Sequence, residues 1–183
     1  MWDADEVRER IRVMAEAGPE CRDFSARRHR WVLAPPVPEA VVACFEREHH
    51  FELPASYRSF LTAVSRGGAG PAYGLYEFGS KSWLDRQEDL DLLSVPFPHT
   101  EPFLPSPEQP VCAEHKPGEE DFSPCWFTGS LVIAEIGCGS FYRLVVTGPG
   151  RGQVWTDDLG CGHALSPGPD FRDWYTQWLT RTR

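Results

Sequence analysis

Near the end of the chain, Phe171, Trp174, Tyr175, Trp178 and Leu179 stand at positions 0, 3, 4, 7 and 8 of one segment, the spacing that gathers side chains on a single helical face. Four aromatic rings on one face must be taken out of water, so the rest of the chain has to supply a broad apolar surface to receive them. Asp170, just ahead of the stripe, is a suitable N-cap. The receiving surface precedes it. Residues 131–136 (LVIAEI) and 141–146 (FYRLVV) are strand-type apolar runs divided by Gly137-Cys138-Gly139-Ser140, and they should pair as a hairpin. A second glycine-rich turn, residues 148–152, leads into Gln153-Val154-Trp155-Thr156, which extends the hairpin into an antiparallel meander. A helix seated on an antiparallel sheet is the minimum architecture these residues permit.

The first two-thirds of the chain reads mainly as helices. Val7, Ile11, Met14 and Ala15 share a face within residues 5–17, and Gly18-Pro19 ends that helix. Residues 30–33 (RWVL) read as a short strand stopped by Pro35-Pro36, because proline lacks the amide a ladder needs. Pro38 opens a second helix through Val41, Cys44 and Phe45 that stops near His49-His50. Leu53-Pro54 opens a third, in which Tyr57, Phe60, Leu61 and Val64 form the stripe and Gly67-Gly68 supplies a left-handed stop. Residues 75–78 suggest a strand and residues 82–93 a short helix carrying Asp85, Glu88, Asp89 and Asp91 outward. Residues 94–124 are proline-rich, acidic and without period, and predict a long surface loop.

Composition bounds the class. With 183 residues the chain has the size of one domain, and 41% hydrophobic and 13% aromatic residues require a real core. The charged opening segment lacks the apolar stretch of a secretory signal, and no run approaches membrane-spanning length, so a cytoplasmic, non-membrane protein is expected. Six scattered cysteines, Cys21, Cys44, Cys112, Cys125, Cys138 and Cys161, read as mostly free thiols of a reducing compartment. The net charge of −9 is concentrated: residues 67–130 hold eleven acids against Lys81, Arg86 and Lys116, while the segments on either side are nearly balanced. A local negative field repels phosphate backbones and attracts basic proteins. Nucleic acid is therefore not expected as a ligand.

Motifs for chemistry are weak throughout. Cys112-x-x-His115 with Cys125 and Cys161-Gly-His163 lacks the close cysteine pairs of a zinc site. His49-His50 beside Glu46 and Glu48 has no HExxH arrangement, and neither Ser65 nor Ser140 sits in a G-x-S-x-G elbow. The glycine turns lack G-K-[ST], and the acidic runs lack the spacing of a calcium loop. No catalytic residue, metal ligand or cofactor site is assigned. The preferred reading of Asp85, Glu88, Asp89, Asp91, Glu119, Glu120, Asp121 and Trp126 is a partner-binding surface for a basic protein.

The order of elements resembles a known family. Leu53-Pro54-Ala55-Ser56-Tyr57-Arg58-Ser59-Phe60-Leu61 followed by Gly67-Gly68 is similar to the LP-x-x-Y-x-x-F-L … N-G-G signature of the SUKH superfamily, also called the Smi/Knr family, with Arg66 in place of the usual Asn. Leu131-Val132-Ile133-Ala134, the strand 141–146, Gly152-Gln153-Val154-Trp155 and the final aromatic helix resemble that family's second hallmark. The resemblance covers about residues 38–180. It implies an α+β fold, a twisted, mainly antiparallel sheet with helices packed against it, and a single SUKH-like domain over residues 1–183. It also implies a non-enzymatic, protein-binding role, that of an immunity protein neutralising a cognate polymorphic toxin, of which basic nuclease-type domains are a common kind. A regulatory or scaffolding adaptor binding a non-toxin protein is the alternative.

Overall fold

The computed structural model describes residues 2–17, 24–105 and 123–180. Among them are six α-helices: α1 (Ala4–Ala17), α2 (Phe24–His29), α3 (Glu39–Glu48), α4 (Ala55–Ala63), α5 (Lys81–Leu84) and α6 (Phe171–Leu179). Four strands, β1 (Ser130–Gly137), β2 (Ser140–Val145), β3 (Val154–Asp157) and β4 (Leu165–Ser166), form an antiparallel sheet in the order β1-β2-β3-β4. This is the expected α+β arrangement. No helix among the described residues is long and apolar enough to cross a membrane.

The sheet buries both faces, which is why β1 reads as an uninterrupted apolar run rather than an alternation. On one face Leu131, Ile133, Leu144 and Val154 join the large core formed with the helices. On the other, Val145, Trp155 and Leu165 join Phe97, Trp126, Phe127 and Leu159 in a second, smaller core. Helix α6 supplies the centre of the first. Phe171 and Tyr175 are fully buried, and both meet Phe60 of α4 and Trp2 edge-on at centroid distances of 4.7–6.2 Å. The Tyr175 hydroxyl donates to the Ala69 carbonyl at 2.7 Å, and Asp170 caps the helix by accepting from the Arg172 amide. Helices α3 and α4 are tied by Glu46, whose carboxylate accepts from the Leu53 amide at 2.9 Å and from Arg58 Nε at 3.0 Å.

The second core contains a buried charge. Arg143, the one cation of β2, is 2% exposed. Its Nε donates to Asp157 on β3 at 2.6 Å, its two terminal nitrogens reach both oxygens of Glu88, and the guanidinium lies 3.7 Å from the centroid of the Phe127 ring. A buried cation is tolerable only when paired and hydrogen-bonded in this way. The opposed carboxylates hold it fully charged, outweighing the desolvation that acts the other way.

Several expectations require correction. The strand proposed for residues 30–33 is absent: α2 is followed by a turn in which Arg30 and Trp31 take φ of 50° and 59°, and Leu33 makes a single bridge to Gly68. The turn is stabilised by Trp31, which stacks on Trp178 of α6 at 6.2 Å. Gly67-Gly68 is not the stop of α4, which ends at Ala63. Those glycines serve a close approach instead, since a Cβ on Gly67 would lie 2.5 Å from the Tyr76 carbonyl oxygen and Gly68 has φ of +105°. The strand expected at 75–78 is shifted and reduced to a fringe beside β1, with the Tyr73 and Tyr76 amides donating to the Glu135 and Ile133 carbonyls. The helix expected over 82–93 is split into α5 and a 3-10 turn at Leu90–Ser94. The Gln87 side chain intervenes by bonding the amide and carbonyl of Val132 like a strand partner. Within the expected loop 94–124, Phe97 and His99 are buried, and Phe103 pairs with Leu165 beside β4, an edge the sequence reading missed. Residues 106–122 lie outside the described residues.

Removing the buried cation should be severe. Arg143→Ala strands Glu88 and Asp157 and is expected to lower stability by about 3–5 kcal/mol in urea unfolding, and a loss under about 1 kcal/mol would contradict this account of the second core. Acid sensitivity provides another test. His99 Nε2 donates to the Trp126 carbonyl at 3.0 Å and the ring stacks on Phe103, and burial, partly opposed by that hydrogen bond, pushes its pKa below the usual histidine value. The unfolded chain then binds the extra proton first, so the stability present above the ordinary histidine pKa of about 6.5 is lost as pH falls below it. The urea midpoint should drop between pH 7.5 and 5.5 in wild type and drop less in His99→Phe, whereas equal drops would show that His99 is not responsible.

Candidate functional site

The residues singled out as a partner surface do not share one environment. Helix α5 is anchored by Trp83, fully buried against Phe45 and Phe78, and Ser80 caps it by accepting from the Trp83 amide. Asp85 is the exposed C-cap residue of α5. Asp89 is exposed and its carboxylate caps the following 3-10 turn by accepting from the Asp91 amide at 2.9 Å. The Asp91 side chain is 92% exposed, 3.9 Å from His49 Nδ1 at the end of α3. These three carboxylates therefore point to solvent from a short segment fastened to the protein by Trp83, Gln87 and the Arg143 network.

The remaining candidates differ. Glu88 remains partly exposed, its side chain 30% so, but both of its carboxylate oxygens are engaged by the buried Arg143. Trp126 is 6% exposed and packs on Phe103 and Phe127 at centroid distances of 5.6 and 6.3 Å. The structure leaves it no face to offer a partner, because the second core needs its ring. Glu119, Glu120 and Asp121 lie outside the described residues.

A cleft of about 360 Å³ opens beside α5, along the fringe that extends β1. The sequence reading did not find it. Its floor holds Glu135, the one charge of β1, whose side chain is 19% exposed and whose Oε2 accepts from the Tyr76 hydroxyl at 3.0 Å. Burial, reinforced by that hydrogen bond and by the Glu135 charge, pushes the Tyr76 phenol up to about 12, so at neutral pH it is a donor and not a base. Tyr73 forms a wall. It lies against the β1–β2 turn, where any Cβ on Gly137 would sit 2.7 Å from its hydroxyl. Arg28 of α2 lies over that wall, its guanidinium carbon 5.1 Å from the Tyr73 ring centroid and Nη2 3.5 Å from Glu135 Oε2. Glu77 and Ser82 complete the rim. Converging charge, aromatic faces and hydrogen-bonding groups suit recognition of a polar side chain.

A second polar cluster resembles a hydrolase triad only in composition. Ser140 Oγ donates to Asp158 Oδ1, and His163 Nδ1 lies 2.7 Å from Asp158 Oδ2. Both groups converge on one carboxylate, and the Ser140 hydroxyl, followed by His163, holds Asp158 below the usual carboxylate range. A serine that donates to a weakened base, with no imidazole between them, is not activated as a nucleophile. Of the described cysteines, Cys44, Cys138 and Cys161 are free, whereas Cys125 is disulfide-bonded and departs from the thiol reading. Cys112 and His115 lie outside the described residues, and among those described no three of His, Cys, Asp and Glu are grouped to hold a metal ion.

The arrangement built by α3, α4, the antiparallel sheet and α6 coincides with a family pattern. The sequence model of the SMI1 / KNR4 family (SUKH-1) matches residues 36–177. That span runs from the segment before α3 to the last turn of α6 and contains the acidic segment and the Tyr73, Tyr76 and Glu135 side of the cleft, while Arg28 and the rest of its α2 side precede it. No curated protein and no solved structure matches the chain. The family includes immunity proteins and is generally non-enzymatic. Matched over well more than half its length, the chain belongs to the SMI1 / KNR4 family (SUKH-1).

Proposed function

We propose that the chain works by binding a basic protein, as an immunity protein that neutralises a cognate polymorphic toxin, with a nuclease-type domain the favoured class of target. The observation that carries this reading is the set Asp85, Asp89 and Asp91, exposed together on an anchored segment within the one strongly acidic stretch of the sequence. Like charges gathered on a fixed scaffold speed encounter with a cationic surface and repel acidic competitors. The family's inclusion of immunity proteins supports the same reading. A nuclease that grips phosphate must itself be basic, so a negative surface is the simplest feature with which to occupy it.

Anchoring defines how the surface should be probed. Reversing Glu88 would unpair Arg143 and confound binding with unfolding, so only the three solvent-facing aspartates belong in the variant. In a pull-down from host lysate, the wild-type chain should capture a basic protein at low salt and release most of it at about 0.5 M salt. Asp85→Lys, Asp89→Lys and Asp91→Lys combined should cut capture by about tenfold or more. Equal capture by the reversed variant, or an acidic protein as the main captured species, would contradict the proposal.

A further inference from the structure

We infer that the cleft beside β1 is a receptor for a guanidinium group, the side chain of an arginine carried by the protein partner, and that Arg28 occupies it as an intramolecular placeholder. This rests on the protein-binding reading above and names one contact within it. The resident Arg28 shows what chemistry the cleft accepts, since its planar cation faces the Tyr73 ring at 5.1 Å while Nη2 approaches Glu135 Oε2 at 3.5 Å. The fit is loose. A 3.5 Å contact from a side chain that is 54% exposed is weak and readily displaced.

The recessed partner is unsaturated. Both hydrogen-bond contacts to the Glu135 carboxylate, from Tyr76 and Arg28, fall on Oε2, and among the described residues Oε1 receives none. Glu77 at the rim makes no ion pair among the described residues. An incoming guanidinium could therefore take the forked geometry that a carboxylate prefers, stack on Tyr73 and meet a second negative charge at the rim. A lysine ammonium lacks both the plane and the fork, and an anion would be repelled by Glu135 and Glu77. Ser82 and the exposed Asp85 follow along the same helix, so the cleft and the acidic segment lie side by side. An arginine seated here would belong to a partner already drawn in by those aspartates.

The test uses amide NMR of the full chain titrated with N-acetyl-arginine-methylamide, which mimics a peptide-borne arginine, with its lysine counterpart and with free arginine. The blocked arginine should shift the amides of Tyr73, Gly74, Tyr76 and Glu135. It should bind Arg28→Ala about tenfold more tightly than wild type, because the internal competitor is gone. Glu135→Gln, which keeps an acceptor for Tyr76, and Tyr73→Leu, which keeps bulk, should each weaken binding, with dispersed spectra confirming that both remain folded. No shifts, no gain in Arg28→Ala, undiminished binding to Glu135→Gln, or equal binding of the lysine analogue would each overturn the inference. Tighter binding of free arginine than of the blocked form would overturn the peptide-borne source. If the cleft fails these tests while partner capture still depends on Asp85, Asp89 and Asp91, this inference alone falls and the broader reading stands.

Discussion

The guanidinium of Arg143 is buried between Asp157 of the neighbouring strand and Glu88 of the segment that follows α5, and the placement of the acidic surface depends on it. A charge inside the protein must be matched where it lies, so Glu88 turns both carboxylate oxygens onto Arg143 and the backbone on either side of it is fixed to the back of the sheet. Gln87 adds a backbone-like pairing with Val132, and Trp83 closes the other end. Without these anchors Asp85, Asp89 and Asp91 would ride on a flexible loop and would lose conformational freedom on binding. With them, the negative field is presented in a fixed geometry, which favours fast and selective encounter.

The two faces of the sheet divide the work. The face toward the helices is a conventional aromatic core in which α6 is clasped by Trp2, Tyr57 and Phe60. The opposite face is covered by irregular chain, with Phe97, Trp126 and Phe127 packed over Trp155 and around Arg143. Irregular covering segments can vary in sequence without disturbing the helical core, and partner-binding groups commonly reside in such segments on a rigid scaffold. The cleft lies at the sheet's β1 side, where the chain around Tyr73 and Tyr76 fringes β1.

Much of this architecture was legible in the sequence because period carries it. The stripe from Phe171 to Leu179, the strands around the 137–140 turn and the helix after Pro54 all announce themselves through spacing and punctuation. What was not legible depends on neighbours distant in sequence. Gly67 and Gly68 look like a helix stop, yet their role is set by Tyr76 and Val32 lying close against them. Glu88 is indistinguishable from Asp89 in an acidic run until Arg143 is placed beside it. Trp126 could have been an exposed anchor, and only tertiary packing decides that it is core. One signal was present and unused: Glu135 and Arg143 are each a lone charge inside an otherwise apolar strand. A charge in such a position has to find a partner, and that rule points to both the cleft and the Arg143 network.

Neutralisation, as distinct from mere attachment, is tested most directly by growth of host cells that express the captured basic partner with and without this chain. The account predicts that the partner alone arrests growth, that the wild-type chain restores it, and that the variant with Asp85, Asp89 and Asp91 changed to lysine does not. Growth unaffected by the partner would place the chain among adaptors, and rescue by the reversed variant as complete as that by wild type would contradict the role assigned to those carboxylates.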